Sequence, residues 1–294
     1  MQLENVGGVA KYQFTFKALE DIPVPAYKGS LFHGSFGRAL LEMAPSWYHF
    51  FCPPDSKGIP KPYVLLPPLD NLTLYPKGHT FSCELTLMGE ATTHHALCQA
   101  ALEYLGSRMG LGRKRGRFAL ESVSAASLSP DRSQPERCFS SGHAIHPEEI
   151  VEFRRPLQDN GNVTIQLVTR LRLKHKNQLC RQEPPFALLF SRIAGRLNSL
   201  AHFYGGGDIL SRPERKHLAH MASNVSQVAT DVFWDEWRRF SGRQRSWMKF
   251  GGLLGHVTYK GDLGPFVPFL ALGEWVHVGG KTSFGLGKYV MEED

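Results

Sequence analysis

Lys11–Ala18 (KYQFTFKA) alternates polar and apolar side chains, the period-two pattern of a half-buried strand, and Pro23 and Pro25 close it. Ser30–Met43 (SLFHGSFGRALLEM) predicts a helix with Leu31, Leu40 and Leu41 among its apolar positions, stopped by Pro45. A proline-rich stretch brackets a short strand at Tyr63–Leu66, and His79–Gly89 alternates again. Thr93–Leu105 predicts a second helix and Arg117–Ser124 a fourth strand. The resulting order, β-α-β-β-α-β, is the ferredoxin-like arrangement, shared with the RNA-recognition module.

The second half repeats the theme. Asn162–Lys174 is a strongly alternating strand with a basic end, and Phe186–Tyr204 is a helix with Leu189, Ile193, Leu197 and Leu200 on one face. Pro213–Val228 predicts another helix, and Phe233–Phe240 with Leu253–Tyr259 a strand pair. A short helix at Leu263–Leu272, a strand at Trp275–Val278 and a last strand at Lys288–Met291 complete the reading. Gly110-Leu-Gly112 and Gly285-Leu-Gly287 each precede basic residues and a strand, a repeat signal that aligns the halves. The expected fold is α+β: two tandem ferredoxin-like (RRM-like) domains, 1–127 and 151–294, joined by a Ser-, Pro- and His-rich linker at 128–150.

The chain has 34 Lys and Arg against 27 Asp and Glu, and residues 170–249 hold 15 of those bases with 6 acids. A local surplus of this kind favours a polyanionic partner, nucleic acid before membrane. The longest apolar stretch is interrupted by Pro268, Gly273, Glu274 and His277, which predicts no membrane span. The opening residues offer neither a basic segment nor an apolar one, so no secretory signal is expected. Five scattered cysteines without a C-x-x-C pair point to reduced thiols in a cytoplasmic protein and away from a zinc ribbon.

Three segments carry candidate chemistry. Gly279–Lys288 (GGKTSFGLGK) could curl backbone amides around phosphate oxygens, with Lys281, Ser283, Gly285, Gly287 and Lys288 as contacts. Its Gly-Lys-Thr is no P-loop, because Trp275 stands where the motif needs glycine and no long helix follows. Arg113, Lys114, Arg115 and Arg117 form the densest basic cluster, in the loop equivalent to the glycine-rich one. Arg238, Arg239, Arg243, Arg245 and Lys249 interleave with Trp237, Phe240 and Trp247, a mixture of charge and stacking surface suited to RNA. His33 lies near the start of the first helix beside Tyr27, Lys28 and Arg38, where an imidazole titrating near neutrality could shuttle a proton. No H-E-x-x-H, aspartate cluster or Cys/His quartet is present, so no metal site and no cofactor is expected.

These residues resemble the CRISPR-associated precursor-RNA processing endoribonucleases of the RAMP superfamily. The likeness runs through Gly29-Ser-Leu-Phe-His-Gly34-Ser-Phe-Gly37-Arg-Ala-Leu, Lys61-Pro-Tyr-Val-Leu-Leu-Pro-Pro68, Gly110–Phe118, Arg196-Leu-x-x-Leu200 and, most specifically, Leu272–Lys288. The resemblance implies metal-independent cleavage of CRISPR repeat RNA by the ribose 2′-hydroxyl, leaving 2′,3′-cyclic phosphate and 5′-hydroxyl ends. It carries the acid or base role to His33 and Tyr27, phosphate stabilisation to Lys28 and Arg38, and reserve roles to His49 and Ser283. At the position of His33 the family's R-G-x-x-G pattern usually has arginine. The alternative it leaves open is a non-catalytic RNA-binding subunit working with other subunits of a CRISPR effector complex.

Overall fold

In the computed structural model, which describes residues 1–54, 58–128, 136–139, 144–154, 161–241 and 246–292, alternation becomes burial. The first half contains β1 (Val9–Ala18), α1 (Gly29–Met43), β2 (Tyr63–Leu66), β3 (Thr80–Met88), α2 (His95–Tyr104) and β4 (Phe118–Leu128). Tyr12, Phe14 and Phe16 of β1 point into the core while Lys17 faces solvent. β1 pairs antiparallel with β3 and β4, and β2 pairs with β3, giving the order β2-β3-β1-β4. That is the ferredoxin-like order. The helices bury Phe32, Phe36, Leu40, Ala101 and Leu102 in the same core cluster as the apolar strand positions. Phe16, Phe81 and Phe118 meet with ring centroids 5.1–5.5 Å apart. Each such ring contributes roughly 2–3 kcal/mol by burial.

The second half contains β5 (Asn162–Leu171), α3 (Phe186–Tyr204), β6 (Ser226–Thr230), β7 (Gly252–Lys260), α4 (Val267–Val276) and β8 (Tyr289–Glu292). Its sheet runs β6-β7-β5-β8, all antiparallel, with Phe233–Asp235 also paired to β7. The order is that of the first sheet. The Gly-Leu-Gly repeat is visible in the backbone itself. Gly110, Gly112, Gly285 and Gly287 have φ of 72°, 77°, 82° and 75°, and Leu111 and Leu286 between them are both fully buried.

The chain divides into two compact units. One comprises Gly7–His146 with Phe203–Gly205; the other comprises Met1–Val6, Pro147–His202 and Gly206–Asp294. In the latter, Gln2 N donates to Ile209 O at 3.0 Å and Asn5 Nδ2 to Asp208 O at 3.0 Å.

Several elements differ from expectation. Trp275 and Val276 form the last turn of α4 rather than a strand. Pro268 seats the helix start, all ten residues are buried, and His277 at φ 58° ends it, so tertiary burial overrides the strand-like Trp-Val-His-Val pattern. The helix expected at Pro213–Val228 is Arg212–Ala222, opened by a Ser211/Glu214 capping box, and the remainder becomes edge strand β6. Phe233–Phe240 is two pieces, Phe233–Asp235 on β7 and Arg238–Ser241 in a hairpin with Ser246–Lys249. Within the stretch expected as a linker, Glu136–Phe139 adds a strand to β4 and Pro147–Arg154 forms a helix. No helix among the described residues is long and apolar enough to cross a membrane.

Candidate functional site

Helical periodicity puts Ser30, His33, Gly34 and Gly37 in one stripe of α1, because positions three and four apart share a face. His33 is half-buried, and its Nδ1 lies 3.1 Å from the hydroxyl of Tyr63 on β2. The two rings stack with centroids 6.1 Å apart, and the Tyr63 hydroxyl is 3.9 Å from Cys52 Sγ. Burial pushes the Tyr63 phenol well above its ordinary value, and burial likewise raises the Cys52 thiol.

The glycines of the stripe are not there for packing. A Cβ built on Gly34 meets nothing within 4 Å, and one on Gly37 meets Cys52 Sγ at an ordinary 3.7 Å. Mid-helix glycine costs about 1 kcal/mol relative to alanine, so two of them beside a histidine mark a helix face kept bare. The Ser30 hydroxyl on this stripe is buried without a hydrogen-bond partner.

The other expected members of this site separate. Lys28 is fully buried, and its Nζ donates to Ala26 O at 3.0 Å and Asp70 O at 2.8 Å while pairing with Asp70 Oδ1 at 2.9 Å. Three acceptors use up the three ammonium hydrogens. Lys28 therefore tethers the entry of α1 to the Asp70 segment, and the phosphate role expected for it is corrected. Burial would raise the Asp70 carboxyl, but hydrogen bonds from Lys28, Tyr75 and the Leu72 amide hold it below its ordinary value. Arg38 is exposed but sits five residues from His33, about 140° around the helix axis, so it serves a different face. Tyr27 is half-buried in the bend before α1, and His49 is exposed on the short helix Pro45–Phe51 with its ring against Tyr48.

The basic loop is a tight turn closed by reciprocal hydrogen bonds between Leu111 and Gly116 at 2.9 and 3.0 Å. Gly110 and Gly116 allow this closure, since a Cβ would meet Arg115 O at 2.0 Å and Ile22 Cγ1 at 2.8 Å. The turn leaves Arg113, Lys114, Arg115 and Arg117 exposed.

The glycine-rich loop is built differently from the expected open cradle. Gly280 N donates to Arg172 O at 2.8 Å, Gly285 N to Thr282 O at 2.8 Å, Gly287 N to Arg170 O at 3.2 Å and Lys288 N to Thr169 Oγ1 at 2.8 Å. Those amides are spent inside the protein, so Gly285 and Gly287 shape the loop and do not offer N–H groups to phosphate. A Cβ on Gly287 would stand 1.8 Å from Val278 O. Ser283 is buried as well, Lys288 is half-buried, and Lys281 is exposed with its Nζ 5.8 Å from the Phe284 ring centre. Half-buried Arg196 caps α4, its Nε donating to Val276 O at 2.9 Å and fixing the helix end from which the loop departs. Of the aromatic-basic stretch, Arg243 and Arg245 lie outside the described residues, as do the side chains of Arg238, Arg239 and Lys249.

Residues 165–289 match the sequence model of the CRISPR-associated endoribonuclease Cas6 family. That segment is similar to a Cas6 domain. Residues 6–150 match the AF_1859_N family, described as an N-terminal domain. No curated protein matches in sequence. Among solved structures, a partial Cas6-RT-Cas1–Cas2 complex aligns with TM-score 0.66 and 17% identity, covering 99% of this chain and 47% of that one. This chain thus spans about half of that relative. A Cas6 product complex aligns with TM-score 0.66 and 16% identity over 97% of this chain and 99% of that one, and Thermus thermophilus Cas6 with TM-score 0.61, 16% identity, 97% and 98%. At such identities these matches establish a shared fold.

Within residues 165–289 the structure adds residues that sequence reasoning missed. Arg170 lies over Trp237, and Arg172 over Phe250, both at 5.8 Å, and Phe250 packs on Trp237 and on Phe284 of the glycine-rich loop. Arg170 pairs with Asp235, and Arg172 donates to Gly251 O. The signal was present as Arg170-x-Arg172-x-Lys174, charges at strand period on one face of β5 and its extension. In the other unit Tyr63 was missed, and its apolar neighbours Val64, Leu65 and Leu66 gave no cue. No group of three or more metal-ligating side chains occurs among the described residues.

Proposed function

We propose that the protein binds CRISPR repeat RNA and cleaves it within the precursor transcript by metal-independent transesterification. In that reaction the ribose 2′-hydroxyl loses its proton to a base and its oxygen bonds the adjacent phosphorus. The P–O5′ bond then breaks and the leaving 5′ oxygen takes a proton, giving 2′,3′-cyclic phosphate and 5′-hydroxyl ends. His33 is the acid or base, acting at the bare glycine stripe of α1, and that juxtaposition is the observation that carries the reading. A sugar-phosphate backbone needs such an approach, since a reacting atom must come within about 3 Å of the imidazole. The Arg113–Arg117 turn and Lys281 supply exposed positive charge for the RNA backbone. Further CRISPR subunits are the expected protein partners.

Labelled repeat RNA incubated with the protein in EDTA tests the chemistry. Cleavage to cyclic-phosphate ends is expected, a 2′-deoxy substitution at the scissile nucleotide should block it, and His33→Ala should slow it by about 10²-fold or more. Cleavage that requires added Mg²⁺ would overturn the mechanism. Tight repeat binding without product over hours would assign the chain to the non-catalytic subunits.

A further inference from the structure

We infer that Tyr63 is the positioning residue for His33: with its O–H turned to Cys52 Sγ, its oxygen accepts from His33 Nδ1–H and supports the imidazole in both protonation states. The inference rests on the reading of His33 given above. The geometry is a chain of three groups from three elements: His33 on α1, Tyr63 on β2 and Cys52 at the end of the helix Pro45–Phe51. The two steps are 3.1 Å from Nδ1 to the hydroxyl and 3.9 Å from the hydroxyl to sulfur. The Tyr63 side chain is fully buried, with its ring packed edge-on against Phe36 at 5.3 Å. It therefore has little freedom except rotation of the O–H bond.

The orientation of that bond decides what the histidine can do. With the O–H donating to Nδ1, the neutral ring carries its proton on Nε2 and is neither the base nor the acid the reaction needs. With the O–H turned to Cys52 Sγ, the phenolic oxygen accepts from Nδ1–H and holds both the imidazolium, whose Nε2–H is the acid, and the neutral tautomer, whose Nε2 lone pair is the base. A residue that must take a proton and later release it needs a partner that tolerates both states. Phenol provides this and a carboxylate would not, because a negative charge would hold the ring protonated. Around the pair, Tyr48 and Cys98 act electrostatically on Tyr63, and Lys61 on Cys52.

The test compares Tyr63→Phe with the parent in single-turnover cleavage of repeat RNA across pH, with the His33 ring followed by nitrogen NMR on the full chain. Phenylalanine keeps the ring and its packing but removes the oxygen that accepts from Nδ1–H, a bond stronger to the imidazolium than to the neutral ring, so the cation is disfavoured. The limb of the pH–rate profile set by His33 should move to lower pH, and the rate should fall about tenfold, the worth of one neutral hydrogen bond. Cys52→Ala should shift the limb in the same direction by less, and Cys52→Ser should restore it. An unshifted limb, with a rate loss matched by the fraction unfolded, would overturn the inference. If His33→Ala cleaves normally, the reading of His33 fails instead. NMR on the full chain then reports separately whether Tyr63 controls the ring's tautomer.

Discussion

Replacing Gly34 by alanine should raise stability and lower activity together. The position is mid-helix, and the space where Cβ would go is empty to 4 Å. Nothing opposes the intrinsic gain of alanine over glycine, about 1 kcal/mol at an interior helix position. For a unit of this size that gain corresponds to a melting shift of about 4 °C upward. The same methyl occupies the face beside His33. If RNA lies against bare helix there, the methyl displaces the reacting phosphate by a fraction of its own radius. Misplacement on the order of 1 Å costs about 10²-fold in rate. Calorimetry on the free protein and single-turnover cleavage of repeat RNA measure the two effects separately. A lower melting temperature would mean that the Cβ meets an obstacle. A higher one with unchanged cleavage would remove the glycine stripe from the site.

Lys28→Met should destabilise the protein by about 3 kcal/mol, because a carboxylate loses its buried partner, without changing the salt dependence of RNA binding; equilibrium denaturation and titrations at several salt concentrations check both. Asp70 is held below its ordinary value, so its contribution is complete above about pH 4 and is lost as pH falls through its folded-state value. Melting temperature recorded from pH 7 down to pH 3 should therefore fall in the acid range, by less in Lys28→Met. Replacing Arg113, Lys114 and Arg115 with alanine should leave melting unchanged and lower the slope of log K against log salt by about 2 for a single strand. Gly287→Ala combines a positive φ with a Cβ 1.8 Å from Val278 O and should cost more than about 3 kcal/mol, seen as a loss of the urea unfolding midpoint.

Much of the architecture was legible because burial followed period. Tyr12–Ala18 and Asn162–Leu171 alternate in residue type and in exposure alike, and their neighbours fall into the same strand order in both sheets. Legibility failed where one element is buried on every side, since α4 has no polar face to reveal its helical period. For the site, His33 could be singled out as a titratable residue early in a helix. Lys28 could not be told from a phosphate ligand, because its partner Asp70 is 42 residues away and only the fold brings them to 2.9 Å. The glycine-rich loop misled in the opposite way. Glycine density reads as available amides, whereas close backbone approach accounts for Gly287 and internal acceptors for Gly280 and Gly285.

The segment Met1–Val6 belongs to the unit that contains Ile209 and Asp208. During synthesis those acceptors emerge some two hundred residues after Gln2 and Asn5, which at roughly 5–20 residues per second is a delay on the order of ten seconds or more. Over that interval the intervening unit, Gly7–His146, can complete its own sheet while the leading residues wait undocked. Ribosome-bound chains cut short before residue 209 should thus leave residues 1–6 open to protease. Longer ones should protect them. A fusion placed at the front of the chain would be felt last, in the closing of the unit finished at its far end.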